Sequence, residues 1–243
     1  MNRIFRVLLA GVAVLCIPRD RLSQTQSEQI PAYKPGVHQN VFRSDNFSIR
    51  YAISIPQTYS NAEPVPLVLA LHFGGSPNGA AQSLMLALVQ PGLAELGAIL
   101  IAPESVGGAW NTPANDRSVL ALLNAVKTAY RVDDKRTAVM GYSMGGTGAW
   151  YFAGKYPDLF RVAVPVAGVP PRSMGDWKTP VFAVHSINDE VNPIEPTARR
   201  ITELQKAGVR AELVTMTGIS HAQTQRFAPG LRKVVPWIQD VWK

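Results

Sequence analysis

From residue 37 onward the apolar positions switch between two periods. Val37 to Arg43 and Phe47 to Ile55 alternate apolar and polar positions, the pattern of a half-buried antiparallel pair at the edge of a sheet. Leu67-Val68-Leu69-Ala70-Leu71 and Ile99-Leu100-Ile101-Ala102 are unbroken apolar runs, suited to central strands covered on both faces. Arg136 to Met140, Val162 to Val166, Val181 to His185 and Ala211 to Thr215 are further strand candidates. Between them the spacing turns helical. Residues 79–96 predict a helix interrupted at Pro91-Gly92, and residues 116–130 put Val119, Leu122, Leu123 and Val126 on one face, with Asp116 supplying negative charge at the N-terminal end. Residues 145–153 are small on one side and bulky on the other, as a helix packed closely on a sheet would be. Residues 230–242 align Leu231, Val234, Val235, Ile238 and Val241, with Pro236 kinking or restarting that helix. Alternation of strands and helices predicts a mostly parallel sheet with helices on both faces, a three-layer α/β architecture.

The first residues break this pattern. Asn2-Arg3-Ile4-Phe5-Arg6 is basic, and Val7 to Ile17 is an apolar run too short to span a bilayer comfortably. Residues 1–24 therefore read as a signal or leader segment, predicting an exported protein, periplasmic or secreted, with no stable membrane span in its mature form. Residues 25–36, rich in Gln, Ser and Pro, read as a linker, and 37–243 as a single domain. A chain of 243 residues that is 47% hydrophobic and 17% charged has the material for one substantial core. Cys16 is the only cysteine, so the folded body holds no disulfide. The formal charge of +7 falls to +4 once the net +3 of Arg3, Arg6, Arg19, Arg21 and Asp20 is set aside. No basic cluster is interleaved with aromatics, which argues against nucleic acid as a partner.

The chemistry concentrates at Gly141-Tyr142-Ser143-Met144-Gly145, where a serine stands between two glycines at the end of an apolar strand and the start of a helix. A sharp strand-to-helix turn exposes a nucleophile only if its neighbours carry little bulk. A serine hydroxyl is a weak nucleophile near neutral pH and needs a base within reach and a group to orient it. Of four histidines, His38, His72 and His185 sit beside or at the ends of strands, where structural hydrogen bonding is the default. His221 lies in a loop after the last strand and is the best base. The acid should fall between nucleophile and base, in a loop after a strand. Asp189 meets this condition, with Glu190 as its competitor. For the oxyanion of a tetrahedral intermediate, the backbone N–H of Met144 is one donor. The glycine-rich loop His72-Phe73-Gly74-Gly75-Ser76 supplies the second, Gly74 first and Phe73 next. Trp110, in a loop after the fourth strand, is a candidate to stack on substrate.

Gly141 to Trp150, Tyr156-Pro157-Asp158-Leu159-Phe160, Pro165-Val166-Ala167-Gly168 and His185 to Pro193 together resemble the α/β-hydrolase superfamily. Within it the chain is similar to the phospholipase/carboxylesterase and "predicted peptidase" branch, which has feruloyl-esterase-like and polyester-depolymerase-like members. The resemblance runs from about Leu67 to Trp237. It implies the three-layer α/β-hydrolase fold, a Ser143–Asp189–His221 triad, and Met144 with Gly74 as oxyanion donors. The chain departs from the family at His72-Phe73, where His-Gly is usual, and at Ser186, where Gly is usual. The expected activity is hydrolysis of small-molecule or polymer-linked carboxylic esters through an acyl-enzyme, with no cofactor and no metal. A serine peptidase is the alternative enzyme, and a silent fold used for binding the non-enzymatic one, though such folds normally lack a triad member. Only residues 169–180, with three prolines, separate the strand ending near Gly168 from the next, too short and broken for a helical cap. A minimal cap and an open groove follow.

Overall fold

The computed structural model of the chain describes residues 29–44, 46–173 and 175–243, so the proposed leader, 1–24, lies outside the described residues. Among the described residues eight strands form one sheet: β1 (Gly36–Ser44), β2 (Phe47–Ile55), β3 (Val65–Leu71), β4 (Ile99–Pro103), β5 (Val132–Tyr142), β6 (Val162–Val166), β7 (Val181–Ser186) and β8 (Ala211–Met216). Their order across the sheet is β1-β2-β4-β3-β5-β6-β7-β8. β1 and β2 pair antiparallel, as their alternation predicts, and β2 joins β4 antiparallel. From β4 to β8 every neighbouring pair is parallel. This is the mostly parallel α/β-hydrolase sheet expected from the sequence.

Successive residues of a strand face opposite sides, and β3 shows how that builds three layers. Leu67, Leu69 and Leu71 join the core beneath α3 (Pro113–Ala129), α4 (Met144–Lys155) and α5 (Glu195–Lys206), with Leu122, Trp150, Phe152 and Ile201. Val68 and Ala70 join the opposite core with Leu84 and Leu88, and with Leu231 and Ile238. The helices on that side are α1 (Ala80–Leu84), α2 (Gln90–Leu93), α6 (Ala228–Arg232) and α7 (Val234–Val241). Among the described residues no helix is long and apolar enough to cross a membrane.

Several boundaries move for local reasons. The helix over 79–96 breaks one turn ahead of Pro91, at a π-turn (Met85–Val89) where the Gln90 N–H reaches the Met85 carbonyl. Pro91 then falls in the first turn of α2, where its missing N–H leaves no bond unmade. α3 starts three residues before the expected Asp116, because the Thr112 side chain caps the Asn115 N–H at 3.3 Å and Pro113 follows it. The C-terminal helix restarts at Lys233, so Pro236 lies in the first turn of α7. Of the expected linker, residues 29–35 have no regular structure but are docked rather than free. Ile30 is buried in the core, the Tyr130 hydroxyl donates to the Pro31 carbonyl (2.9 Å), and the Tyr33 N–H donates to that hydroxyl (2.8 Å). The β6–β7 connection carries no helix among its described residues. Trp177 pins it to the body, its ring set edge-on to Trp150 at 5.4 Å between centroids.

Candidate active site

Parallel strands put all their C-terminal ends on one edge of the sheet, and the chemistry gathers there. Ser143 stands between β5 and α4 with φ 57° and ψ −117°, a conformation that non-glycine residues rarely take. It is held by its N–H, which donates to the Val166 carbonyl of β6 (2.9 Å), and by its own carbonyl, which accepts from the Thr147 N–H (3.0 Å). The turn also demands that helix and strand nearly touch. A Cβ on Gly145 would sit 1.9 Å from the Leu71 carbonyl oxygen, which is why glycine stands there.

Ser143 Oγ lies 2.7 Å from His221 Nε2. On the far side of the ring, His221 Nδ1 lies 2.8 and 2.9 Å from the two carboxylate oxygens of Asp189. A carboxylate only accepts, so Nδ1 carries the proton and the Nε2 lone pair faces the serine. Asp189 is buried, with Oδ1 accepting the N–H groups of Val191 (3.0 Å) and Asn192 (2.7 Å). Those bonds fix a charged acceptor against the ring. Glu190, the competing acid, goes elsewhere: its Oε2 accepts the backbone N–H of His221 at 3.0 Å. The two adjacent carboxylates thus hold the same histidine, one by its ring and the other by its main chain.

The other two buried histidines hold the loops around this array. His72 Nδ1 donates to the Phe73 carbonyl (2.6 Å), while its Nε2 accepts the Ser105 N–H (3.0 Å). These partners define a neutral tautomer, and burial holds its pKa below the usual histidine value. In a trans peptide the carbonyl of one residue and the N–H of the next point oppositely. With the Phe73 carbonyl drawn toward His72, the Gly74 N–H faces away from that ring on exposed backbone. Gly74 also lies beside Met144, since a Cβ there would be 3.8 Å from the Met144 Cβ. His185 Nε2 donates to the Asn192 carbonyl (2.8 Å) and stands 3.5 Å from Asp189 Oδ2. Burial lowers its pKa too. The sequence gives no sign of these loop contacts beyond the strand-end positions of both histidines.

Trp110 is a correction. It is 1% exposed, its Nε1 donates to the His72 carbonyl (2.9 Å), and its ring packs edge-on to His72 at 4.9 Å. It has no face left for a substrate and instead supports the loop that carries Phe73 and Gly74. Among the described residues no group of three or more His, Cys, Asp or Glu could hold a metal ion. The array is suited to moving a proton from a serine hydroxyl to an imidazole whose positive form a buried carboxylate stabilises.

A model of the Dienelactone hydrolase family matches residues 98–234, more than half of the chain. A probable feruloyl esterase C of Aspergillus niger is 28% identical over 175 residues, covering 68% of this chain and 62% of the relative. A putative carboxymethylenebutenolidase of Aquifex aeolicus is 27% identical over 110 residues, covering 44% of this chain and 48% of the relative. The chain thus spans about half to three-fifths of the length of these relatives. Among solved structures, an S-formylglutathione hydrolase of Staphylococcus aureus superposes with a TM-score of 0.69 at 13% identity, over 84% of this chain and 98% of that one, a likeness of fold.

Proposed function

The chain belongs to the dienelactone hydrolase family, and on that footing we propose that it hydrolyses carboxylic esters through an acyl-enzyme, with Ser143 as nucleophile, His221 as general base and acid, and Asp189 as the orienting acid. The observation that carries this reading is the unbroken array of 2.7 Å from Ser143 Oγ to His221 Nε2 and 2.8 Å from Nδ1 to Asp189. His221 takes the Ser143 proton as Oγ attacks the ester carbonyl, and Asp189 stabilises the imidazolium that forms. The oxyanion is received by the N–H groups of Met144 and Gly74. His221 then returns the proton to the leaving alcohol, and water repeats the sequence on the acyl-enzyme.

The feruloyl esterase among the relatives and a β6–β7 connection with no helix among its described residues favour bulky or polymer-linked esters over small ones alone. Ile187 and Val191, exposed on the loop that carries Asp189, offer apolar surface for such a substrate. The apolar run Val7 to Ile17 after two arginines supports export.

The test is a fluorophosphonate probe together with a panel of nitrophenyl, feruloyl and acetyl-sugar esters. Wild type is expected to label at Ser143 and to turn over esters. Folded Ser143→Ala should not label and should lose on the order of 10⁶ in kcat. Ester turnover that survives in folded Ser143→Ala would overturn the assignment.

A further inference from the structure

Tyr142, the residue before the serine, is absent from the array above, yet it touches His221 in two ways. Its hydroxyl donates to the His221 main-chain carbonyl. Its ring lies nearly parallel to the imidazole, with centroids 5.6 Å apart and planes 25° from each other. Phe227 at 5.5 Å and Phe73 at 6.3 Å pack edge-on against the same ring, which is buried. The loop that carries His221 follows the outermost parallel strand, whereas Tyr142 ends β5, which is paired on both sides. With Glu190 on the His221 N–H and Tyr142 on its carbonyl, both main-chain groups of that residue are gripped by side chains.

We propose, resting on the Ser143–His221–Asp189 reading, that Tyr142 is a positioning residue that registers His221 against the nucleophile and faces its imidazolium in the transition state. The tether runs from the strand that leads into Ser143, so base and nucleophile share one reference. The ring presents its electron-rich face to the imidazole within the 6 Å at which a cation is attracted to an aromatic face, so it stabilises the imidazolium of the transition state. Burial pushes the phenol up to about 12, so it stays a donor throughout the working pH range. The titratable groups around His221 are Asp189 and Glu190 on the β7–α5 loop and His185 on β7. None of them changes in the variants below, so a difference between variants reads Tyr142.

The experiment compares kcat and KM of wild type, Tyr142→Phe and the protein carrying pentafluorophenylalanine at 142 on a soluble nitrophenyl ester. Tyr142→Phe keeps the stacked ring and loses the tether. It should lower kcat about fivefold with KM unchanged. Pentafluorophenylalanine keeps the shape and inverts the sign of the ring face. With the attraction for the transition-state imidazolium lost, kcat should fall about a further threefold relative to Tyr142→Phe, with KM unchanged. Wild-type kcat in Tyr142→Phe, or the same kcat in the two variants, overturns the proposal. Ser143→Ala is run alongside: if it stays active the underlying reading fails, and if it is dead a negative result indicts Tyr142 alone.

Discussion

Replacing Gly145 by alanine tests whether close approach of helix and strand builds the serine turn. Propensity alone says the change should help, since glycine inside a helix costs about 0.8–1 kcal/mol relative to alanine. Packing says the opposite. The new Cβ would lie 1.9 Å from the Leu71 oxygen, 2.4 Å from the Leu71 carbon and 2.7 Å from the His72 oxygen, all backbone atoms that no rotamer change can clear. Contacts of a real Cβ essentially never fall below 3.0 Å, so helix α4 and the end of β3 must separate by about 1 Å. Overpacking of this kind costs about 1–3 kcal/mol, and two rigid partners put it at the upper end. For a chain of this size that is a fall in Tm of roughly 6–12 °C. The same displacement pulls Ser143 and Met144 away from Gly74, and a misplacement of about 1 Å costs on the order of 10² in turnover. Thermal unfolding by circular dichroism and kcat on a nitrophenyl ester measure both effects. Gly74→Ala is the control, because its Cβ meets nothing nearer than 3.8 Å and its N–H survives; it should melt with wild type and keep kcat within about threefold. A Gly145→Ala protein that melts at or above wild type with kcat within threefold refutes the argument.

Asp189→Asn should lower kcat by about 10⁴, because an amide cannot hold His221 in its productive tautomer; Glu190→Gln should cost less than tenfold, since an amide oxygen can still accept the His221 N–H, and the reverse ranking in steady-state kinetics would exchange their roles. His72 and His185 have folded pKa values below the unfolded 6.5, so below that pH the unfolded chain binds more protons and stability falls as pH drops toward the folded values; urea midpoints at pH 7.5 and 5.5 should show this loss, and a rise on acidification would contradict it. Short-chain esters raised past their solubility limit should give no lag and no jump in rate, because the β6–β7 connection carries no helix among its described residues; a sharp rise at that limit would reveal a lid.

What the sequence could and could not show divides along a physical line. Apolar periodicity is local, so the unbroken runs at Leu67–Leu71 and Ile99–Ala102 were readable as central strands, and with them the parallel sheet. Once the sheet is parallel, strand ends share an edge, and residues 78 apart in the chain, Ser143 and His221, can be paired by their place after strands. Position after a strand says which edge a residue occupies, but not which way its side chain turns. Trp110 was misread for that reason: its place in a loop on the correct edge is real, and only the contact with His72, 38 residues away, turns the indole inward. Asp189 and Glu190 show the same limit at one residue's spacing, where loop position admits both and the backbone turn through Val191 and Asn192 separates them. Tyr142 is the extreme case. Its place in the Gly-x-Ser-x-Gly turn needs only a residue that fits, while its contact with His221 spans 79 residues and depends on a distant loop reaching the end of β5. Local rules therefore recover the residues of the proposed triad, which sit at special backbone positions. They miss the groups that aim them, which need only be near in space.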